Sequence, residues 1–218
     1  MVADIIRVNQ HARERDPNLP IYLLGHSMGS FLAQAAIAAQ PTLADALVLS
    51  GSNLARTLEL VAGLQVARLE RRRKGARNPS KLLQALSFGS YAKRFKPIRT
   101  PFDWLSRDVS QVDYYVADPL CGFSISTQLW VDIFNGLRDI SAPSHFAQFP
   151  KSLPILILGG SRDPVGGAKG MARLASAYRQ AGVIDVELTV YPDGRHEMFN
   201  DIVAEQVTDD LVAWLNLR

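Results

Sequence analysis

The chain of 218 residues has a net charge of +3, with 47% hydrophobic and 21% charged residues, a composition typical of globular proteins. No apolar run approaches the roughly 18 residues that a membrane-spanning helix needs. Asp4, Arg7 and Arg13 interrupt the N-terminal stretch, so we expect no signal peptide there. Cys121 is the only cysteine, which excludes an internal disulfide and favours a reducing, cytoplasmic location. We expect Cys121 to be a small buried apolar residue.

Short apolar strands alternate with helices at both ends of the chain. The first end has a helix at 2–14, a strand at 21–24, an Ala-rich helix at 28–39 and a strand at 46–50. The other end has a strand at 155–158, a helix at 168–180, a strand at 186–191 and an amphipathic helix at 198–217. The buried face of this last helix is marked by Val203, Val207, Leu211 and Trp214. This alternation predicts an α/β fold with a mostly parallel sheet and helices on both faces.

The segment between the second and third predicted strands is far longer than a crossover between parallel strands, which needs about a dozen residues. We therefore expect an inserted helical cap at 51–150, with helices at 54–72 and 126–138. The core of the fold then consists of 1–50 and 151–218.

Positive charge is concentrated at 68–99, here called the basic segment, which holds eleven Lys or Arg residues against Glu70 alone. Such a segment is either one solvated face of a helix or a surface that contacts the phosphates of an anionic membrane. Nothing near it resembles a nucleic-acid-binding module, so we expect no nucleic-acid partner.

The stretch Gly25-His26-Ser27-Met28-Gly29 fits the pattern G-x-S-x-G and stands directly between a predicted strand and a predicted helix. In that context the pattern forms a sharp turn that presents a nucleophilic serine. Side chains two residues to either side of Ser27 would collide in such a turn, which accounts for both glycines. The N–H of Met28, at the start of the helix, would point towards an oxyanion. The alternative is an ordinary strand–helix turn with Ser27 as its N-cap.

A serine nucleophile needs a general base and an acid that orients the base, in the chain order serine, acid, histidine. Asp163 lies just beyond the third predicted strand and His196 just beyond the fourth. Both can therefore reach the same edge of the sheet as Ser27. The alternatives are a surface ion pair for Asp163 and a helix cap for His196.

Other residues fit these two positions less well. Asp193 is a weaker candidate for the acid, since it also suits the turn between Pro192 and Gly194. The remaining histidines are displaced in chain order or position, and they are His11, His26 and His145.

No motif for a metal or a cofactor stands out. In HEMFN, at 196–200, Asn200 occupies the place of the second histidine of a zinc protease. The glycine-rich run at 159–170 lacks the Lys-Ser/Thr of a phosphate-binding loop, and no Cys/His cluster is present. We expect neither a metal nor a cofactor.

Together these motifs resemble the α/β-hydrolase fold, in particular its monoacylglycerol lipase and lysophospholipase branch of serine aminopeptidase type. LLGHSMGS resembles the nucleophile turn of that branch, GGSRDPV and DGRHEMFND resemble its acid and histidine loops, and TPFDWLSRD and VADPLCGF resemble stretches of its cap. The resemblance runs essentially from end to end. It implies Ser27, Asp163 and His196 as a catalytic triad and a lid over an acyl pocket. Ser30 replaces a glycine that is common in the branch.

The front of the chain departs from this family. Family members place four strands before the nucleophile strand, whereas one predicted helix precedes it here. The resemblance therefore implies that the N-terminal part of the sheet is missing, together with a loop that supplies a second oxyanion donor. The strand at 21–24 would then form an exposed edge. We expect Met1 to be an internal methionine of a longer protein.

The resemblance implies a serine hydrolase that cleaves carboxylic esters of a lipid-like small molecule, of the monoacylglycerol or lysophospholipid type, through an acyl-enzyme. Candidates for the lining of an acyl channel are Leu58, Val61, Leu64 and Trp130, against the alternative that they pack in a core. Two other functions stay open. One is an acyltransferase or peptidase with the same triad, and the other is an inactive fragment that only binds partners. The sequence does not indicate an oligomeric state.

Overall fold

Four parallel strands form a single sheet in the computed structural model, which describes all residues from 1 to 218. The strands are β1 (Tyr22–His26), β2 (Ala46–Ser50), β3 (Ile155–Gly160) and β4 (Val186–Tyr191). They lie in the order β1-β2-β3-β4, so β1 and β4 are the edges of the sheet. All four predicted strands and the parallel sheet are confirmed.

Ten helices complete the fold, and none of them combines the length and the apolar character that crossing a bilayer requires. In chain order they are α1 (Val2–Arg15), α2 (Met28–Ala39), α3 (Thr57–Lys74), α4 (Lys81–Leu86), α5 (Phe88–Ala92), α6 (Val109–Ala117), α7 (Thr127–Ile140), α8 (Pro143–Gln148), α9 (Gly167–Gln180) and α10 (Ala204–Leu215).

Successive residues of the central strands face two separate apolar cores. In β2, Leu47 and Leu49 belong to a core that also contains Ile37 of α2 and residues of α8 and α9. Val48, between them, belongs to a second core with Trp214 of α10. Both faces of the sheet are therefore covered, which explains why the central strands β2 and β3 are buried over their whole length rather than alternating.

The residues between β2 and β3 form six helices, of which α3 and α7 are the two predicted there. These two pack closely, because a Cβ at Gly63 would come within 2.4 Å of the Phe134 ring. Leu64 and Trp130 are buried in the apolar cluster between them. The shorter helices α4, α5, α6 and α8 were not expected from the sequence.

The predicted helix at 198–217 is interrupted near its start. A short 3-10 helix covers Met198–Asn200, and α10 begins only at Ala204. At the break, the buried carboxylate of Asp201 accepts hydrogen bonds from the backbone N–H (3.1 Å) and Nε (2.7 Å) of Arg107. The prediction of one continuous helix is therefore wrong, because this contact with a residue distant in sequence holds the chain out of the helical path.

Candidate active site

Ser27 occupies a strained turn between β1 and α2. Its backbone has φ 51° and ψ −121°, and a positive φ costs a non-glycine residue on the order of 1–3 kcal/mol. Its N–H donates to the carbonyl oxygen of Ser50 on the neighbouring strand (2.9 Å), and its own carbonyl oxygen accepts from the Ser30 hydroxyl (2.6 Å). The Ser27 side chain makes no capping hydrogen bond to α2. Its hydroxyl is therefore not used as a helix cap.

The two glycines of the motif have different surroundings. A Cβ at Gly25 would lie 2.5 Å from the carbonyl oxygen of Gly29 and 2.7 Å from the Cα of Ser30, both backbone atoms that cannot move aside. A Cβ at Gly29 would meet nothing within 4 Å. The expected collision is thus confirmed at Gly25 and wrong at Gly29, because the side chain at position 29 would point into open space.

The N–H of Met28, the first residue of α2, donates to no protein acceptor. It belongs to the N–H groups that every helix leaves unpaired at its start, and such groups bind anions. Stabilisation of an oxyanion by Met28 stays a prediction.

Asp163 and His196 meet at the carboxyl end of the sheet, in the loops after β3 and β4. His196 Nδ1 lies 2.9 Å from Asp163 Oδ2, and both residues are buried. The other carboxylate oxygen of Asp163 accepts the N–H of Val165 (2.8 Å). With Asp163 ionised, Nδ1 of His196 donates its hydrogen and Nε2 is left as an acceptor. The pair thus has the bond that orients a general base.

Two glycines allow this meeting of the loops. A Cβ at Gly160 would lie 2.0 Å from the carbonyl oxygen of Gly194, so any larger residue would separate the two backbones. Gly194 directly precedes Arg195 and His196, and Gly160 lies three residues before Asp163. The close backbone approach therefore sets the distance between the acid and the histidine.

The other candidates lie away from this pair. Asp193 is exposed in the turn after β4, with φ 56°, and makes no hydrogen bond to His196. His11 is exposed on α1. His145 is buried on α8, where its Nε2 has no partner, and burial lowers its pKa to about 4.

Ser27 and His196 open on the same cavity, of about 310 Å³. No hydrogen bond joins the Ser27 hydroxyl to His196. Such contacts are often long without substrate and tighten when it binds. The apolar part of the lining consists of Phe88, Phe102, Trp104, Leu105, Leu120, Phe123 and Ile125.

Two expectations about the cavity are wrong. None of the four residues proposed for an acyl channel lines it. Leu58 and Val61 are exposed, whereas Leu64 and Trp130 are used in packing α3 against α7. Cys121 lines the cavity and is half-buried, because the loop after α6 carries it to the cavity rather than into a core.

His26 and Trp104 enclose the His196 ring, a role that the sequence predicts for neither of them. The His26 ring centroid lies 4.8 Å and the Trp104 ring centroid 5.1 Å from that of His196. His26 Nδ1 lies 3.1 Å from Ser50 Oγ. Burial, and then the charge of His196, lower the pKa of His26 to about 4. No local sequence signal could reveal Trp104, since the contact joins the region between β2 and β3 to the loop after β4.

The segment that carries Trp104 is bound to the loop of His196 through backbone hydrogen bonds. The N–H of His196 donates to the Trp104 carbonyl oxygen (3.4 Å), and that of Glu197 donates to the Leu105 carbonyl oxygen (2.8 Å). Arg195 Nη1 donates to the carbonyl oxygen of Ser106 (2.7 Å). No group of three or more His, Cys, Asp or Glu side chains is placed to hold a metal ion.

Comparison with known proteins places this geometry in a family. The family model described as "Serine aminopeptidase, S33" matches residues 1–202. The chain is 26% identical over 226 residues to the monoglyceride lipase of Mus musculus, and 31% identical over 216 residues to the monoacylglycerol lipase of Mycolicibacterium smegmatis. These matches cover 100% and 96% of the chain, which spans 65% of the length of each lipase.

A solved structure has the same fold. The carboxyl esterase from Bacillus coagulans in complex with glycerol superimposes with a TM-score of 0.90 at 25% identity, covering 99% of this chain and 70% of that one. The family match covers most of the chain. The parallel sheet and the strained serine turn agree with it. The chain belongs to the serine aminopeptidase family of α/β-hydrolases.

Proposed function

We propose that this protein is a serine hydrolase that cleaves carboxylic esters of lipid-like alcohols through an acyl-enzyme. The observation that carries the proposal is the buried Asp163–His196 pair, which opens with the strained Ser27 on one cavity. The names of the relatives, two of them lipases of monoacylglycerols and one a carboxyl esterase, support an ester as the substrate.

In the proposed mechanism Ser27 is the nucleophile, His196 the general base and Asp163 the acid that orients the base. His196 Nε2 takes the proton of the Ser27 hydroxyl as Oγ attacks the acyl carbonyl carbon. The developing oxyanion accepts a hydrogen bond from the Met28 N–H. His196 then protonates the leaving alcohol oxygen as the ester bond breaks. Water, activated by His196, attacks the acyl-enzyme and releases the fatty acid.

The size and lining of the cavity suit an apolar acyl group. Its volume of about 310 Å³ lies in the range of small-molecule sites, and aromatic residues such as Phe88 and Phe123 line it. We propose that the region at 51–150 acts as a cap, because it supplies most of this lining. Monoacylglycerols and lysophospholipids are the two proposed ester classes that have one such apolar acyl group.

Fluorophosphonate labelling of the purified chain tests the proposal. We expect covalent labelling that is lost in Ser27→Ala and in His196→Gln, since the probe reacts only with an activated serine. Labelling that survives in Ser27→Ala, or no labelling of a folded chain, would contradict it. Comparison of a fatty-acyl ester with an aminoacyl anilide then separates an esterase from a peptidase, the activity that the family description names.

We further propose that the basic segment contacts anionic membrane surfaces. All of its Lys and Arg residues except Arg71 are exposed, and among them stand the exposed apolar side chains of Leu69, Leu82 and Leu86. Cations beside exposed leucines suit a lipid interface, where headgroup phosphates and acyl chains lie close together.

Sedimentation with lipid vesicles tests this contact. We expect binding to vesicles that contain phosphatidylserine, weaker binding at high salt, and a loss of binding in Arg72→Glu/Arg77→Glu. The matched control, Arg7→Glu/Lys169→Glu, changes the net charge equally at exposed positions outside the basic segment and should bind as the unsubstituted chain does. Binding that is independent of salt and of Arg72 and Arg77 would contradict the proposal.

A further inference from the structure

Glu197 is the only acidic residue among those that line the cavity at Ser27. It directly follows His196, and its position is fixed at two points. Its N–H donates to the carbonyl oxygen of Leu105 (2.8 Å), and its Oε2 accepts from Nδ2 of Asn200 (3.0 Å). The backbone of Glu197 is thus bound to the segment that carries Trp104, and its carboxylate is bound by one side chain.

The charge of Glu197 is not neutralised locally. None of the ion pairs in the structure involves it, and no Lys or Arg lines the cavity. The other titratable groups of the lining are His26, Tyr115, Cys121 and His196, none of which is a fixed cation. Glu197 is therefore the only Asp, Glu, Lys or Arg side chain in the lining, although Gln84 and Phe88 of the lining belong to the basic segment.

Glu197 lines the cavity together with Tyr115 and Cys121, and its charge acts on both of these side chains. Burial raises the pKa of the Tyr115 phenol, and the charge of Glu197 adds to this rise. Burial also raises the pKa of the Cys121 thiol, with further contributions from Asp118 and from Glu197. Both side chains line the cavity with Glu197.

The place of Glu197 beside His196 decides which part of an ester it meets. In the proposed mechanism His196 protonates the leaving oxygen, so the alcohol part of a bound ester lies next to His196. Because Glu197 follows His196 directly and lines the same cavity, we assign its carboxylate to the alcohol part rather than to the acyl chain.

We propose that Glu197 determines the charge of the alcohol that this site accepts, favouring neutral or cationic alcohol parts and disfavouring anionic ones. The inference rests on the proposed function and narrows its substrate class. Glycerol esters meet no repulsion from Glu197, whereas the phosphate of a lysophospholipid with a net negative headgroup would be repelled. A unit charge about 6 Å from the carboxylate, in a partly solvated cavity, changes affinity on the order of tenfold.

A pair of esters that differ only in charge provides the test. Butyrylcholine has a quaternary nitrogen, and its uncharged isostere has a quaternary carbon in the same place. The measured quantity is the ratio of kcat/KM for the cationic ester to that for the neutral ester. We expect Glu197→Gln to lower this ratio about tenfold, since any loss of activity common to both esters cancels. The matched control Glu205→Gln removes an exposed carboxylate on α10 and should leave the ratio as it is.

Equilibrium binding separates this inference from the proposed function. Titration calorimetry measures the dissociation constants of both esters without any turnover. It is carried out with Ser27→Ala and with Ser27→Ala/Glu197→Gln, and the ratio of the two dissociation constants is compared between these proteins. A ratio of dissociation constants that is equal in the two proteins would overturn the role of Glu197, whether or not the enzyme is active. If Glu197→Gln removes the preference for the cationic ester in binding while the unsubstituted chain shows no turnover, the role of Glu197 is supported and only the hydrolase mechanism is contradicted.

Discussion

The imidazole ring of His26 lies against that of His196, with ring centroids 4.8 Å apart and planes inclined at 49°. Because the pKa of His26 is lowered to about 4 by burial and by His196, His26 is uncharged at neutral pH. It therefore packs against the proposed general base without repelling the proton that the base must accept. With Trp104 also against the ring and Asp163 on its Nδ1, His196 is held on three sides.

Removal of the His26 ring should slow the chemical step. We expect His26→Ala to lower kcat by about tenfold to a hundredfold with little change in KM, because a small displacement of a catalytic group is costly while substrate contacts persist. His26→Phe keeps a ring of similar shape and should recover most of the loss. Steady-state kinetics with a soluble ester distinguishes the two variants. A kcat of His26→Ala equal to that of the unsubstituted chain would show that the ring has no positioning role.

The glycines at 25 and 29 should respond in opposite ways to alanine. Gly25→Ala places a Cβ 2.5 Å from a carbonyl oxygen, so we expect it to distort the turn and to abolish fluorophosphonate labelling of Ser27. Gly29→Ala places its Cβ in open space on α2 and should raise the free energy of unfolding by about 0.5–1 kcal/mol. Urea denaturation and labelling of both variants check this. Normal labelling of Gly25→Ala would contradict the steric argument.

Local patterns in the sequence were sufficient to predict the sheet and the loops of the candidate site. Ser27, Asp163 and His196 each follow a short strand, and parallel strands bring their carboxyl ends to one edge. The strand at 155–160 and the helix at 28–39 are each apolar or Ala-rich over their whole length. Both elements pack in the apolar core, so the fold does not override their local preferences for strand and helix.

The cavity could not be predicted in this way. α4 and α5 have six and five residues, too few to show a periodic apolar face, and tertiary packing stabilises helices of this length. The apolar stripe of α3 suggested an acyl channel, but Leu64 is satisfied by contacts with α7. Only the path of the chain after α6 brings Cys121 and Phe123 to Ser27.

The ion pair between Arg107 and Asp201 should contribute strongly to stability. Asp201 is 4% exposed and binds the backbone N–H and Nε of Arg107. Asp201→Asn leaves the Arg107 charge without its partner, so we expect the free energy of unfolding to fall by about 3 kcal/mol. Asp139→Asn disrupts the exposed pair of Arg138 and Asp139 and should cost less than about 1 kcal/mol. Urea denaturation compares the two variants, and similar losses would contradict the importance of burial.

The buried His145 should make the fold sensitive to acid. Burial lowers its pKa in the folded chain to about 4, whereas an unfolded histidine titrates near 6.5. Between these values the unfolded state binds a proton that the folded state does not, so stability falls as the pH decreases. Between about pH 7.5 and about pH 5, the unsubstituted chain should lose about 2 kcal/mol more than His145→Gln. Urea denaturation of both proteins at the two pH values measures this difference, and His26 titrates in both, so its effect cancels. An equal loss in the two proteins would show that His145 is protonated as readily in the folded chain as in the unfolded one.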